Sequence, residues 1–496
     1  MRLTIASRRS ELARIQAYQV GDALRLAAPQ IEISYSFHES LGDRNQNDPL
    51  WQMPEKGVFT QDFREGLLRG DFDLVVHSWK DLAIEDDPDT EIAATLPRAD
   101  ARDLLLVPGS RWSEVERAGA MSILTSSPRR SYNLDSFLRT ALPAELRELK
   151  FIDVRGNVPT RVRKLFQSET DGLIVAKAAI DRLLEAKQDE FAATQAELRR
   201  ALTQCRWMVL PLSANPAAPG QGALAIEIAR RRADLRELLA LINCAETFAV
   251  VTREREILRG YGGGCHQKIG VSVLRRPFGE ITFLRGVTDD GRTLDRCSLQ
   301  SSKPRPSKVS REQMWPLKLS DADWFTREAI PSSAEKPIAL WIAKADALPN
   351  DWRVRAEQMV WASGVQTWKR LAQRGVWVNG CAESLGEHES PNLEALAGSD
   401  AHWQKLTHAD GYADGAMPTV ATYRLVPGNG HLNLEGKTDF FWKSGSSFEY
   451  AFSLNPWLKQ MTHSCGPGNT QRILERNGIE PFVFLDHAQW LEEMSL

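Results

Sequence analysis

The chain has 496 residues, enough for three or four domains that each bury a core. Its 62 basic and 65 acidic residues leave a formal charge of −3, which gives no overall footprint for nucleic acid or an anionic membrane, so any anion site must be local. The six cysteines form no CxxC pair and no Cys/His metal spacing, the nine histidines contain no HExxH, and no apolar run is long enough to cross a bilayer. A disulfide scaffold, a zinc site and a membrane span are therefore not indicated, and a cytoplasmic location is the default expectation.

Leu3 to Ala6 reads as a strand. Ser7-Arg8-Arg9-Ser10 then leads into a helix whose apolar positions Leu12, Ile15 and Val20 recur near helical spacing, with Ser10 placed to cap it. Two arginines at such a turn can hold an anion, because the first helical N–H groups point the same way; a solvated basic turn fits the fragment equally. Lys56-Gly57 precedes a second helix bearing Phe59, Phe63 and Leu67, and Asp73 to Val76 reads as a buried strand ending in His77-Ser78-Trp79-Lys80-Asp81. In open α/β sheets the ligand crevice lies beyond the carboxyl ends of the strands, so Lys80 and Asp81 are expected to face a cleft; a surface ion pair is the plain alternative.

The same grammar recurs in Ile123-Leu124-Thr125-Ser126-Ser127-Pro128-Arg129-Arg130 and in Phe151 to Arg161, which presents Arg155 and Arg161. Gly172 to Ala176 is a further strand, leading into a helix that carries Arg182. Arginine's planar fork suits bidentate grip of carboxylates, so three strand ends bearing arginines point to a cleft for a ligand with several carboxylates. Phosphate is the main competitor, but there is no GxxxxGK[ST] loop. A Gly-marked turn, Pro219 to Gly222, enters another strand, a helix is expected over 246–259, and Ile281–Val287 with Thr293–Leu299 forms a hairpin. Between helix and hairpin stands Gly262-Gly263-Gly264-Cys265. Glycines leave room beside the sulfur, and Arg253, Arg255, Arg259 and Lys268 are near enough in sequence to favour a thiolate, so Cys265 is a candidate attachment point; a buried structural cysteine explains the spacing as well. Pro304, Pro306 and the Pro331 cluster read as linkers before a strand near Ile338.

Taken in order, the motifs IASRRS, KGVF, VVHSWKDL, TSSPRRS, VRGNVPTR with GQGALAIE, and GGGCHQKIG closely resemble the porphobilinogen deaminase family over roughly residues 1 to 300. The resemblance implies an α/β fold of two lobes like those of type II periplasmic binding proteins plus a small α+β third domain. Domain 1 would cover 1–104 with a return over 200–240, domain 2 would cover 105–199 and domain 3 would cover 245–330. It further implies that Cys265 carries a dipyrromethane cofactor through a thioether, and that four porphobilinogen units are joined into hydroxymethylbilane with release of ammonia. Asp81 would stabilise charge and move protons. Arg8, Ser10, Lys56, Ser78, Lys80, Thr125, Ser126, Ser127, Arg129, Arg130, Arg155, Gly156, Asn157, Arg161 and Arg182 would bind cofactor and substrate. The chain departs from the family pattern at Gln52, where a lysine is frequent, at Ala179, where glycine is usual, and at His266-Gln267-Lys268, which replaces Gln-Val-Pro. A monomer without nucleic-acid or membrane partners is expected. A non-catalytic two-lobed binding protein for a polycarboxylate would use the same lobes and arginines, but would leave Cys265 unmodified.

Nine of the chain's 15 tryptophans lie beyond residue 337, which marks 337–496 as a separate unit of renewed βα pattern. Its Thr422-Tyr423-Arg424, Phe440-Phe441-x-x-Ser444-Gly445 and Gly466-Pro467-x-x-Thr470 patterns resemble the uroporphyrinogen-III synthase family, and imply a site containing Tyr423, Ser444 and Thr470. The region is short for that family and lacks its usual opening strand, so an active synthase and a structural remnant both stand.

Overall fold

The computed structural model describes residues 1–39, 61–262, 267–331, 339–398, 401–409, 411, 417–428 and 433–496. Gln52, Lys56, Cys265 and His266 lie outside the described residues.

Strands β1 (Arg2–Arg8), β2 (Glu32–His38), β3 (Leu74–Ser78) and β4 (Thr90–Ala94) build the first lobe. β5 (Asp103–Pro108), β6 (Ala120–Leu124), β7 (Glu148–Ile152), β8 (Gly172–Ala176) and β9 (Cys205–Leu210) build the second, and β10 (Leu224–Ala229) returns to the first. The sheet orders are β2-β1-β3-β10-β4 and β7-β6-β8-β5-β9. In each, three parallel strands meet one antiparallel strand, β10 or β5, that has just crossed from the other lobe. This is the expected two-lobe, type II binding-protein-like architecture. The crossings run through residues 95–102 and 211–223, so the return to the first lobe comes later than the expected 200, because β9 pairs along its whole length with β5. Buried apolar strands drive both sheets: Leu3, Ile5, Leu74 and Val75 in one, Leu104, Leu105, Ile123 and Ile174 in the other.

The helix Ala245–Arg259 packs on β11 (Gly270–Arg276) of a three-stranded antiparallel sheet with β12 (Gly279–Val287) and β13 (Thr293–Ser301). The expected end of this unit at 330 is corrected by the next two strands. β14 (Met314–Trp315) pairs with β21 (Asp439–Trp442), and β15 (Phe325–Ala329) pairs with β20 (Thr419–Pro427), so both belong to the C-terminal sheets. One of those sheets is β14-β21-β22-β23, with β22 Thr462–Cys465 and β23 Phe482–Val483. The other is β15-β20-β19-β16-β17-β18, with β16 Ala339–Ile342, β17 Met359–Ala362, β18 Gly380–Cys381 and β19 Trp403–His408. Val376 to Asn379 leads directly into β18.

The second lobe and the larger C-terminal sheet meet edge to edge. The Val209 N–H of edge strand β9 donates to the Asn379 carbonyl at 2.8 Å, and the Asn379 amide and Trp377 indole both donate to the Trp207 carbonyl at 3.0 Å. Each unit thus covers an edge that would otherwise present unpaired backbone groups. Behind this seam one apolar cluster runs from Leu105, Phe137 and Leu138 to Leu340, Ile342, Trp368 and Leu371. Trp368 is fully buried, donates its indole N–H to the Ala141 carbonyl at 2.9 Å and stands edge-on to Phe137 at 5.4 Å. Trp368→Ala should cost about 3–5 kcal/mol in denaturant titrations, from the cavity and the unpaired carbonyl together. It should loosen the second lobe as well as the C-terminal unit, read as faster amide exchange along Pro128–Ala141.

Candidate active site

Asp81 ends the single helical turn Trp79–Asp81 that follows β3, and its carboxylate is exposed. Four neighbours hold the turn. Gly220 lies in the left-handed region at φ +79°, where a Cβ would press on Trp79 and on the Lys80 nitrogen at 3.2 to 3.3 Å, so the chain there needs glycine. The Lys80 ammonium donates to Gln221 at 3.3 Å. Arg255, from the helix Ala245–Arg259, donates to the carbonyls of Trp79 at 3.5 Å, Leu82 at 3.3 Å and Ala83, and Arg259 adds Ile84 at 2.7 Å. These two arginines, adjacent to the thiol loop in sequence, therefore grip the Asp81 turn.

The facing wall comes from the second lobe. Ser127 and Asn157 cap the helices Pro128–Ala141 and Val158–Gln167 by accepting the backbone N–H groups of Arg130 and Thr160. Gly156, at φ +110°, brings the chain within 2.7 Å of the Thr160 methyl if a Cβ is added. Arg161 donates to the Gly156 carbonyl at 2.7 Å and to Ser126 at 3.0 Å, and Thr125 accepts the Ser127 N–H at 3.3 Å. Burial, reinforced by the charges of Arg130 and Arg155, pulls Arg161 down to about 10, while Asp81 acts in the opposite sense from across the cleft. Burial also lowers Lys80, with Asp81 opposing and Arg130 assisting. Arg155 carries a buried guanidinium nitrogen with no hydrogen-bond partner, an orphaned donor that an anionic cofactor or substrate would satisfy. The structure thus assembles Lys80, Asp81, Ser126, Arg130, Arg155 and Arg161 at one cleft.

Other expected ligands are placed differently. Arg129 and Arg130 are buried and share Asp103, at 2.9 and 2.7 Å. Arg129 also donates to Asn215 at 2.9 Å and to the Pro216 carbonyl at 2.6 Å, so the protein itself consumes this guanidinium and the expectation of an open ligand site is corrected. Burial alone would raise the Asp103 carboxyl, but the two guanidinium groups hold it far below the usual carboxylate range. Arg182 is buried, donates to the Gly222 carbonyl at 2.8 Å and is lowered to about 10 by burial. Ser78 is bonded to Gln16 at 2.9 Å. Arg8 closes β1, and Ser10 holds the N-cap position of the helix Glu11–Ala27 without a side-chain cap bond. Ala179 is buried within Lys177–Leu184, so the helix accommodates its methyl.

Residues 3–237 match the family model described as porphobilinogen deaminase, dipyromethane cofactor binding domain. The porphobilinogen deaminase of Acidothermus cellulolyticus is 35% identical over 318 residues, covering 59% of this chain and 86% of that relative. The chain belongs to the porphobilinogen deaminase family. The porphobilinogen deaminase of Bordetella bronchiseptica is 32% identical over 334 residues, covering 67% of this chain and 98% of the relative. Among solved structures, a uroporphyrinogen-III synthetase from Helicobacter pylori overlaps 34% of this chain and 89% of its own at 12% identity. Its TM-score of 0.25 is too low to bear on the argument.

Sequence reasoning missed the residues that hold the deaminase-family cleft in shape: Asp103, Gln221, Arg98 and Glu254. Gln221 bonds the Ala101 carbonyl at 2.7 Å and Asp103 at 2.8 Å, so it links both crossings to Lys80. Glu254 is fully buried, takes Arg98 in a bidentate pair at 2.8 and 2.9 Å, and accepts the Gly220 and Val273 N–H groups. A carboxylate in a strand that reads as fully apolar was the available signal for Asp103.

In the C-terminal unit, Tyr423 on β20 is buried and lies 5.8 Å from the ring of His408, whose Nε2 meets the Ser446 hydroxyl at 3.1 Å. Ser444 caps the helix Gly445–Leu454 through the Ser447 N–H. Thr470 sits in the first turn of Asn469–Arg476, and no hydrogen bond joins it to this group among the described residues. Lys344, Lys443 and His408 follow or end parallel strands, and burial, reinforced by the neighbouring charges of Lys443, Arg327 and Arg370, depresses the Lys344 ammonium. The strand-end rule could have found this basic cluster.

Asp103→Asn would leave two buried guanidinium groups without their anion and should cost about 3–5 kcal/mol at neutral pH by urea titration. A carboxyl with a depressed folded-state pKa contributes fully above its unfolded value and loses that contribution as pH falls, so the gap to wild type should narrow below about pH 4.

Proposed function

We propose that this chain is a porphobilinogen deaminase, and that Asp81 is its catalytic carboxylate. The observation that carries the reading is the exposed Asp81 carboxylate beside Lys80 and opposite Arg155 and Arg161, with one Arg155 donor left unpaired. Loss of ammonia from the substrate's aminomethyl group leaves an electrophilic, positively charged ring. The attacking pyrrole carbon then surrenders its proton, so one C–C bond forms for each C–N bond broken. A carboxylate beside that charge stabilises it and accepts the proton without becoming covalent. Lys80, Arg155 and Arg161 orient the acetate and propionate groups. Bound to Cys265, dipyrromethane supplies the first nucleophilic pyrrole. The reading places a monomer in the cytoplasm acting on a small molecule; among the described residues no helix is long and apolar enough to cross a membrane.

Intact-mass measurement of protein from a porphobilinogen-producing host should show a dipyrromethane adduct that Cys265→Ser removes; the bare sequence mass in wild type would sink the assignment. Asp81→Asn should keep the fold and the adduct while turnover falls about 100-fold or more.

A second activity is supported by the C-terminal cation cluster beside buried Tyr423, where two sheets present strand ends. This unit is read as uroporphyrinogen-III synthase-like, acting on the linear product. Oxidised product should then contain uroporphyrin III, and isomer analysis giving uroporphyrin I alone would exclude the activity.

A further inference from the structure

Beside the thiol loop the second lobe carries a depression of about 410 Å³ lined by Pro128, Ser131, Tyr132, Asp153 and Lys268. That volume is within the range of small-molecule sites. Lys268 is exposed and its ammonium has no partner among the described residues; the same is true of the Asp153 carboxylate. Tyr132 is 39% exposed, unusual for so large a ring on a helix that buries Leu134, Phe137 and Leu138. The position of Lys268 is set by the start of β11. A Cβ at Gly270 would lie 2.2 Å from the Pro216 carbonyl and 3.1 Å from the Arg129 side chain, and the Val271 N–H donates to Ala217 at 3.0 Å. Only two residues stand between Lys268 and Cys265 in the chain, so their Cα atoms are at most about 11 Å apart.

We infer that this depression is an outer subsite for a carboxylate-bearing pyrrole, one that takes the rings nearest the thiol as the product lengthens. The inference rests on the deaminase reading. A pyrrole of this class offers a flat face, an N–H donor and carboxylate arms, and the depression supplies an aromatic ring, a carboxylate acceptor and an ammonium with a neighbouring hydroxyl. The need for such a subsite follows from two fixed points. The tether stays at Cys265 and the reacting end must stay at Asp81, so each added ring displaces those between them sideways. The obvious cations on that path are taken, since Arg129 and Arg130 share Asp103. Lys268 stands where the family pattern has proline, which makes the ammonium a feature of this chain.

The test uses holoenzyme given limiting porphobilinogen, with two readouts. In intact-mass spectra, Lys268→Glu and Tyr132→Ala should both form the early covalent intermediates and accumulate them about tenfold over the later ones relative to wild type, with Tyr132→Phe restoring the wild-type distribution. Acylation of surface amines should label Lys268 freely in holoenzyme and about tenfold less once two or more units have been added. Wild-type distributions in both variants, or undiminished Lys268 labelling in loaded enzyme, overturn the subsite while leaving the deaminase reading intact. A wild type with no pyrrole adduct overturns both.

Discussion

The cleft depends on one buried carboxylate. Asp103 opens β5 at the point where the chain has just crossed between lobes, and it receives Arg129, Arg130, the Asn215 amide at 2.8 Å and the Gln221 amide at 2.8 Å. Those partners come from the helix Pro128–Ala141 of the second lobe and from the return crossing, and Gln221 passes the connection on to Lys80 beside Asp81. A buried ion with so many donors resists protonation and tolerates the low dielectric around it, whereas either guanidinium alone would be an uncompensated charge. The same bonds decide which arginines remain for a ligand. Arg129 and Arg130 are committed to Asp103, whereas Lys80, Arg155 and Arg161 stand at the cleft.

The third domain acts on both walls at once. Its helix clamps the Asp81 turn through Arg255 and Arg259, and Glu254 ties that helix to Arg98 on one crossing and to Gly220 on the other. On the far side of the thiol loop, β11 is seated against the 216–217 segment and the stem of Arg129. The loop that bears Cys265 is therefore flanked by one segment anchored to the first lobe and one anchored to the second.

Much of this was legible in residues 1–300, because the informative features are local. Strand ends followed by Ser or Asn caps and arginines can be read from spacing, and Asp81, Arg155, Arg161 and Ser126 fall together as those turns suggest. What spacing could not reveal is which arginines spend their charge on the protein. Arg129 and Arg161 both lie in the opening turns of capped helices, yet one meets a carboxylate 26 positions away in sequence and the other faces the cleft. The unit boundaries failed for the same reason. β9, β14 and β15 are short segments whose sheet membership is set by pairing with strands up to 125 residues distant, a relation that leaves no periodic trace.

The contacts between units differ in kind. The second lobe and the C-terminal sheet share a buried core, edge-strand hydrogen bonds and Trp368, contacts that come apart only by exposing large apolar area. The helix Glu11–Ala27 of the first lobe meets the second lobe through buried Ile15, which shares an apolar cluster with Ile180, Leu183 and Phe191, and through polar pairs at its rim: Arg14 with Glu190, Tyr18 with Glu190 at 2.8 Å, and Thr194 with Glu11 at 2.8 Å. Exposed pairs of that kind are each worth about 1 kcal/mol or less. Both boundaries thus bury apolar groups, and the one behind the cleft adds backbone hydrogen bonds between sheet edges, which ties the arginine wall to the C-terminal unit.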